Sequence, residues 1–106
     1  MKRYHVELAP EALAHVEAIH AWWLDHRPAS PALFVDEFTA AFELLEHSPR
    51  VGRRYLAGPG NEMRRLPLPR TRYLVYYDID EPGLAVRIHA VWHMSRGQPP
   101  PLSSRR

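Results

Sequence analysis

Tyr73-Leu74-Val75-Tyr76-Tyr77-Asp78-Ile79, then Asp80-Glu81-Pro82-Gly83, then Leu84-Ala85-Val86-Arg87-Ile88-His89-Ala90-Val91-Trp92 is the stretch on which the fold turns. Its two flanks are rich in aromatic and β-branched residues, which suit a pleated, half-buried surface. The four residues between them hold a proline that fixes φ and a glycine that tolerates φ > 0. The segment therefore predicts two antiparallel strands, 73–79 and 84–92, joined by a tight turn. Along the second strand Val86, Ile88, Ala90 and Trp92 fall on one face, and Arg87, His89, Val91 and His93 on the other. One face is expected to be core and the other mostly polar.

Upstream, Met63 to Leu68 reads as a weaker strand, and Pro67 within it denies a ladder bond, which points to a sheet edge or a bulge. Arg50 to Asn61 holds Gly52, Gly58, Pro59 and Gly60 and reads as a loop. Two helices are expected before it. Pro10 and Glu11 suit a helix start, and Ala12, Val16, Ile19 and Trp23, flanked by Leu13 and His20, make one apolar stripe that ends at Arg27-Pro28. Ser30-Pro31 repeats the start signal for a helix carrying Phe34, Phe38, Ala41, Phe42 and Leu45, closed by Ser48-Pro49. The short connection between them predicts an antiparallel hairpin. Tyr4 to Leu8 adds a short strand at the beginning. The expectation is an α+β domain over residues 1–97, β-α-α-β-β-β, with a helical hairpin packed on a small, mainly antiparallel sheet. Residues 98–106, with three consecutive prolines, read as an extended, flexible tail.

The chain has 106 residues, enough for one core, and no cysteine, which removes disulfides, thiolate nucleophiles and cysteine-based zinc sites. The start is charged and no run is long enough to span a bilayer, so a cytoplasmic protein with no membrane partner is expected. Charge is unevenly divided. Residues 1–49 carry three cations against eight carboxylates, a net of −5, whereas residues 50–106 carry eleven arginines against four carboxylates, a net of +7. An arginine-built surface favours a nucleic acid or an acidic protein partner. Histidines are numerous without suggesting a metal centre. His15 and His20 lie about 140° apart around a helix, and His89 and His93 about 13 Å apart along a strand. No cofactor is implied.

Ala9-Pro10-Glu11-Ala12, Ser48-Pro49-Arg50-Val51-Gly52-Arg53, Arg64-Arg65, Arg70-Thr71-Arg72-Tyr73-Leu74-Val75-Tyr76-Tyr77 and Val91-Trp92-His93 with Arg96 together resemble the RelE/ParE family of toxins from type II toxin-antitoxin systems. The helical hairpin and the "S-P-x-x-G-R" loop are closer to the ParE type. The resemblance implies a growth-inhibiting toxin held inactive by a cognate antitoxin, with DNA gyrase as the target of ParE-type members through protein-protein contact. For RelE-type members it implies ribosome-dependent mRNA cleavage without a metal. A metal-free ribonuclease needs an acid or base and cations for the phosphate, and His93 with Arg64, Arg65, Arg72 and Arg96 would supply them. The competing reading is that His93 ends a strand and bonds backbone while the arginines form a solvated or antitoxin-binding face. Candidates for contact with antitoxin or target are Trp22, Leu24, Arg53, Arg54, Arg87 and Arg96. The antitoxin segment is expected to be acidic and to order on binding.

Overall fold

The computed structural model describes residues 2–58 and 61–102. Strand β1 (His5–Leu8) is followed by helices α1 (Pro10–His26) and α2 (Leu33–His47), a 3-10 turn (Pro49–Val51), and strands β2 (Arg53–Gly58), β3 (Asn61–Leu68), β4 (Tyr73–Asp80) and β5 (Ala85–His93). The strands form one sheet in the order β1-β5-β4-β3-β2. β1 runs parallel to β5 and the other pairs are antiparallel. Both helices pack on this sheet, so the expected α+β architecture holds with one strand more than the sequence suggested.

That strand is β2, where a loop was expected. Arg53, Arg54 and Tyr55 pair with Arg65, Arg64 and Met63. β2 is an edge strand, so the periodic apolar signal of a core strand is weak in it, and the neighbouring glycines mask Tyr55 and Leu56. Residues 59 and 60 of that loop lie outside the described residues. β3, in turn, is internal rather than an edge. Pro67 is accommodated because the β2 pairing stops at Arg65, so the proline lies beyond the neighbour that would have needed its N–H.

α1 begins at Pro10 as the sequence suggests. α2 begins at Leu33 instead of Pro31, with Ala32 at the N-cap and no side-chain cap bond. The Ser30 amide turns back to the Arg27 carbonyl, which continues the turn between the helices past the expected start. The buried stripe of α2, Phe34, Phe38, Ala41 and Leu45, meets Val75, Tyr77, Val86, Ile88 and Val91 of the sheet, and Ala12 and Trp23 of α1 join them. Leu13 is half exposed, outside that stripe. In the β4-β5 turn the positive φ belongs to Leu84, at 50°, rather than to Gly83.

β5 departs from simple alternation. Tyr77 pairs with Ile88 but Tyr76 pairs with Ala90, so His89 is an extra residue bulged out of the ladder. The bulge moves the core face from even to odd positions. Val86 and Ile88 face the helices before it, and Val91 does so after it. The expected face Val86-Ile88-Ala90-Trp92 is therefore split, and His93, paired with Tyr73, lies on the helix side with Val91.

The loop Pro49-Arg50-Val51-Gly52 closes over the middle of the sheet. The buried Tyr77 hydroxyl donates to the Pro49 carbonyl at 2.6 Å and accepts from the Gly52 amide at 2.9 Å. Burial pushes the Tyr77 phenol above its ordinary value, with the Gly52 amide and Arg64 opposing. A Cβ at position 52 would stand 2.6 Å from that hydroxyl and 2.8 Å from the Arg65 carbonyl, so only glycine fits.

Candidate functional site: a basic, aromatic cleft at the end of the sheet

β1 stops pairing at Leu8 opposite Ile88, so past that point β5 has no strand on its outer side. α1 covers this edge. His15 accepts the Val91 amide through Nδ1 at 3.2 Å, and its ring meets Trp92 edge-on at 5.6 Å. Burial holds His15 below the ordinary histidine value, Arg96 lowers it further and Glu11 opposes.

Between α1, the β3-β4 turn and the end of β5 lies a cleft of about 630 Å³, lined by Trp22, Trp23, Tyr73, His93 and the cations Arg27, Arg70, Arg72 and Arg96, among others. The turn on one side of it is pinned by Glu37 of α2. Its carboxylate accepts the amides of Arg70 (2.8 Å) and Thr71 (2.9 Å) and the Thr71 hydroxyl (2.7 Å). The Met94 amide ties the other side of the turn to the Arg72 carbonyl at 2.8 Å. Arg72 is held at φ 71°, a left-handed conformation that costs a β-carbon residue energy unless its surroundings impose it.

The residues expected to form a nuclease centre do not all meet here. His93, Arg72 and Arg96 share the cleft. His93 Nδ1 accepts the Ser95 amide at 3.1 Å and lies 2.8 Å from the Ser95 hydroxyl, which leaves Nε2 as the proton-bearing nitrogen of the neutral ring. Arg96 lies 4.1 Å above the Trp92 ring. Arg65 is on the opposite sheet face, over Tyr55 at 4.8 Å, where it lines with Tyr76, His93 and Arg96 a smaller cleft of about 250 Å³ that does not include Arg72. Arg64, its neighbour in the strand, points the other way and donates to the carbonyls of Arg50 (3.1 Å) and Gly52 (2.8 Å), bracing the loop over Tyr77. Adjacent strand residues face opposite sides, so Arg64 and Arg65 serve different surfaces.

The binding candidates also divide. Trp22 borders the cleft, 41% exposed, stacked on His26 at 4.6 Å with the Arg27 guanidinium 5.1 Å from its centroid. Leu24 is exposed on α1 outside the cleft. Arg53 and Arg54 lie on edge strand β2. Arg87 pairs with Glu7 at 2.7 Å in a second cleft, about 770 Å³, lined also by Glu11, Asp78, Asp80 and His89. His15, Arg27, Arg70 and Glu37 carry the basic cleft, yet no local pattern marks them as site residues. They converge only through tertiary packing. Part of the tail is placed as well: the Trp92 indole donates to the Gln98 carbonyl at 2.9 Å and Pro100 is buried, while residues 103–106 lie outside the described residues.

Among the described residues no helix is long and apolar enough to cross a membrane. No curated protein matches the chain. Among solved structures, a chain of the "Chromosomal ParDE TA system from P. aeruginosa" is similar with TM-score 0.69 and 17% identity, over 86% of this chain and 96% of that one. The isolated E. coli RelE toxin is similar with TM-score 0.52 and 19% identity, over 90% of this chain and 88% of that one. At such identities the likeness speaks for the fold. The sequence itself decides the family, because the model of the "ParE toxin of type II toxin-antitoxin system, parDE" matches residues 6–97. The chain belongs to the ParE toxin family of type II toxin-antitoxin systems.

Proposed function

We propose that this toxin arrests growth by inhibiting DNA gyrase through protein-protein contact. The observation that carries the reading is the dispersal of the groups a nuclease would need. Arg64 is spent on loop carbonyls, His93 Nδ1 is engaged by Ser95, and Arg65 and Arg72 reach His93 and Arg96 only from two different clefts. A contact inhibitor needs none of these to converge. Purified protein freed of antitoxin is expected to block gyrase supercoiling in vitro. Unimpaired supercoiling, with translation arrested in cells, would remove the reading.

A second reading, ribosome-dependent mRNA cleavage, draws on the grouping of His93, Arg72 and Arg96 in one cleft. Under it His93→Ala abolishes toxicity while fold and antitoxin binding persist. Retained toxicity with uncut mRNA refutes it.

Membership of the family implies a cognate antitoxin. Its binding segment in this reading is acidic and orders on contact, using the arginines at the rim for fast, salt-sensitive association and the exposed apolar residues Trp22 and Leu24 for slow dissociation. Co-expression with the adjacent small reading frame and purification through a tag on one partner tests this. A neighbour that neither co-purifies nor restores growth overturns it.

A further inference from the structure

We propose that the sheet face turned away from the helices carries a docking groove for an extended, proline-rich segment, and that the chain's own residues 98–101 fill it as a displaceable strap. The inference is independent of the choice of cellular target.

The first support is burial without a helix. Tyr76 lies between Val75 and Tyr77, which belong to the helix-side core, so its side chain points to the other side of the sheet. Its partners across the ladder are Arg65 and Ala90, and Met63 shares the face of Arg65 two residues along β3. Tyr76, Met63 and Ala90 are nevertheless only 2%, 2% and 1% exposed, and none of them belongs to the helix-side core. Something other than a helix covers this face. On it Tyr55 meets Tyr76 edge-on at 5.4 Å, and the cleft that they line with Trp92 is bounded also by Gly97, Gln98 and Pro99.

The second support is the way the tail is held. The Arg96 amide turns back to the His93 carbonyl at 3.2 Å, and the Trp92 indole then donates to the Gln98 carbonyl at 2.9 Å. That carbonyl belongs to the peptide bond with Pro99, so it heads a run of prolines that offers acceptors and no N–H donors. An indole can only donate, and a donor beside aromatic walls suits such a run, as in the grooves that recognise polyproline segments. Arg96, 4.1 Å above the Trp92 ring, steadies the indole from one side.

The third support is periodicity. Consecutive prolines favour the polyproline II helix, with three residues per turn, so one side chain in three can face a groove. Pro100 is buried while Pro99 and Pro101 on either side of it are exposed, as that period requires. Such a segment is stiff before it docks and loses little side-chain entropy on docking. The strap is also lightly held: the indole bond is the one hydrogen bond of residues 97–102 among the described residues. A partner that presents a similar segment has one hydrogen bond and one buried ring to displace.

Isotopically labelled, full-length, antitoxin-free protein gives three indole N–H signals in an NMR spectrum, one for each tryptophan, and Trp92→Phe assigns the signal of interest. The Trp92 indole should be protected from solvent exchange. Pro100→Ala should speed its exchange about tenfold, because the buried ring is lost. Pro101→Ala, at an exposed position, should change it by no more than about twofold. A synthetic Gln-Pro-Pro-Pro-Leu peptide added to the Pro100→Ala protein should shift the Trp92 signal and leave those of Trp22 and Trp23 in place. It should bind the wild-type chain several-fold more weakly, because the tethered strap competes at high effective concentration. A Gln-Gly-Ser-Gly-Leu peptide should not bind. Unaltered circular dichroism establishes that the variants fold. Exchange as fast in the wild type as in Pro100→Ala overturns the proposal, as does an equal loss from Pro101→Ala. So does a proline peptide that leaves Trp92 unshifted, or equal binding of the glycine-serine peptide. Protection that grows with protein concentration overturns the strap in its turn, since the segment would then come from a second copy.

Discussion

The two clefts sit at opposite ends of strand β5 and are built on opposite principles. At its start, Glu7, Glu11, Asp78 and Asp80 surround Arg87 and His89, with the Arg87 cation paired to Glu7. At its end, four arginines stand among aromatic rings with no carboxylate among the described lining residues. The first cleft is a surface of mixed sign with carboxylates in excess, whose arginine is paired. The second has an apolar floor, a pinned turn and arginines with no carboxylate partner among the described residues. The difference teaches that the net charge of this toxin says little. What matters is where neutralisation is withheld, and here it is withheld around a turn that Glu37 pins.

If the basic cleft rests on a buried floor, removing that floor should cost most. Trp23 is 8% exposed, and Trp23→Ala is expected to destabilise the protein by about 4 kcal/mol, from the burial forgone and the cavity left behind. Urea unfolding measures it, and a cost near that of a surface change would break the contrast between the clefts. Glu37→Gln should cost about 2 kcal/mol, since a neutral amide cannot replace charge-assisted bonds to two amides and a hydroxyl. Amide exchange at Arg70 and Thr71 should accelerate in that variant.

Acid should act on the basic cleft through His15. Its folded value lies below the unfolded 6.5, so the unfolded chain takes up the proton first. The resulting stability is present above pH 6.5 and is lost as pH falls from there towards the folded value. A series of urea midpoints from pH 8 to pH 5 should show this decline, and His15→Asn should flatten it. Smallest of all is Arg87→Gln in the acidic cleft. The Arg87-Glu7 pair is solvent-exposed, so its removal should change stability by less than about 1 kcal/mol. A larger change would mean that the acidic cleft is also structural.

The hairpin of β4 and β5 is legible in the sequence because its signal is local: β-branched and aromatic runs around a four-residue turn. α1 is legible for the same reason, from Pro10 and a stripe at helical spacing. The β2 strand is hidden because it opens on two exposed arginines and runs into a glycine-rich stretch, so no alternating apolar pattern marks it. The bulge at His89 is invisible, since alternation carries no mark of a residue that pairs with nothing, and it misplaces His93. Arg64 and Arg65 are a different case. Their adjacency alone forbids a shared strand face, so the sequence already argues against using both in one centre. The basic cleft is illegible as a unit because Arg27, Arg70 and Arg96 come from three elements. Only packing brings them together.

The contact between Gly52 and Tyr77 has an evolutionary corollary. Removal of the tyrosine hydroxyl, as in a phenylalanine, would take away one of the three atoms that crowd position 52, yet the Arg65 carbonyl would still stand 2.8 Å and the ring edge 2.9 Å from any Cβ there. A side chain can be exchanged by mutation, but a backbone carbonyl in a central strand cannot. Position 77 is therefore free to drift among relatives at a cost in hydrogen bonding, while position 52 has no compensating partner anywhere in the chain. In an alignment of homologues the glycine should be the more constant of the two, and changes at the tyrosine should not bring changes at the glycine with them.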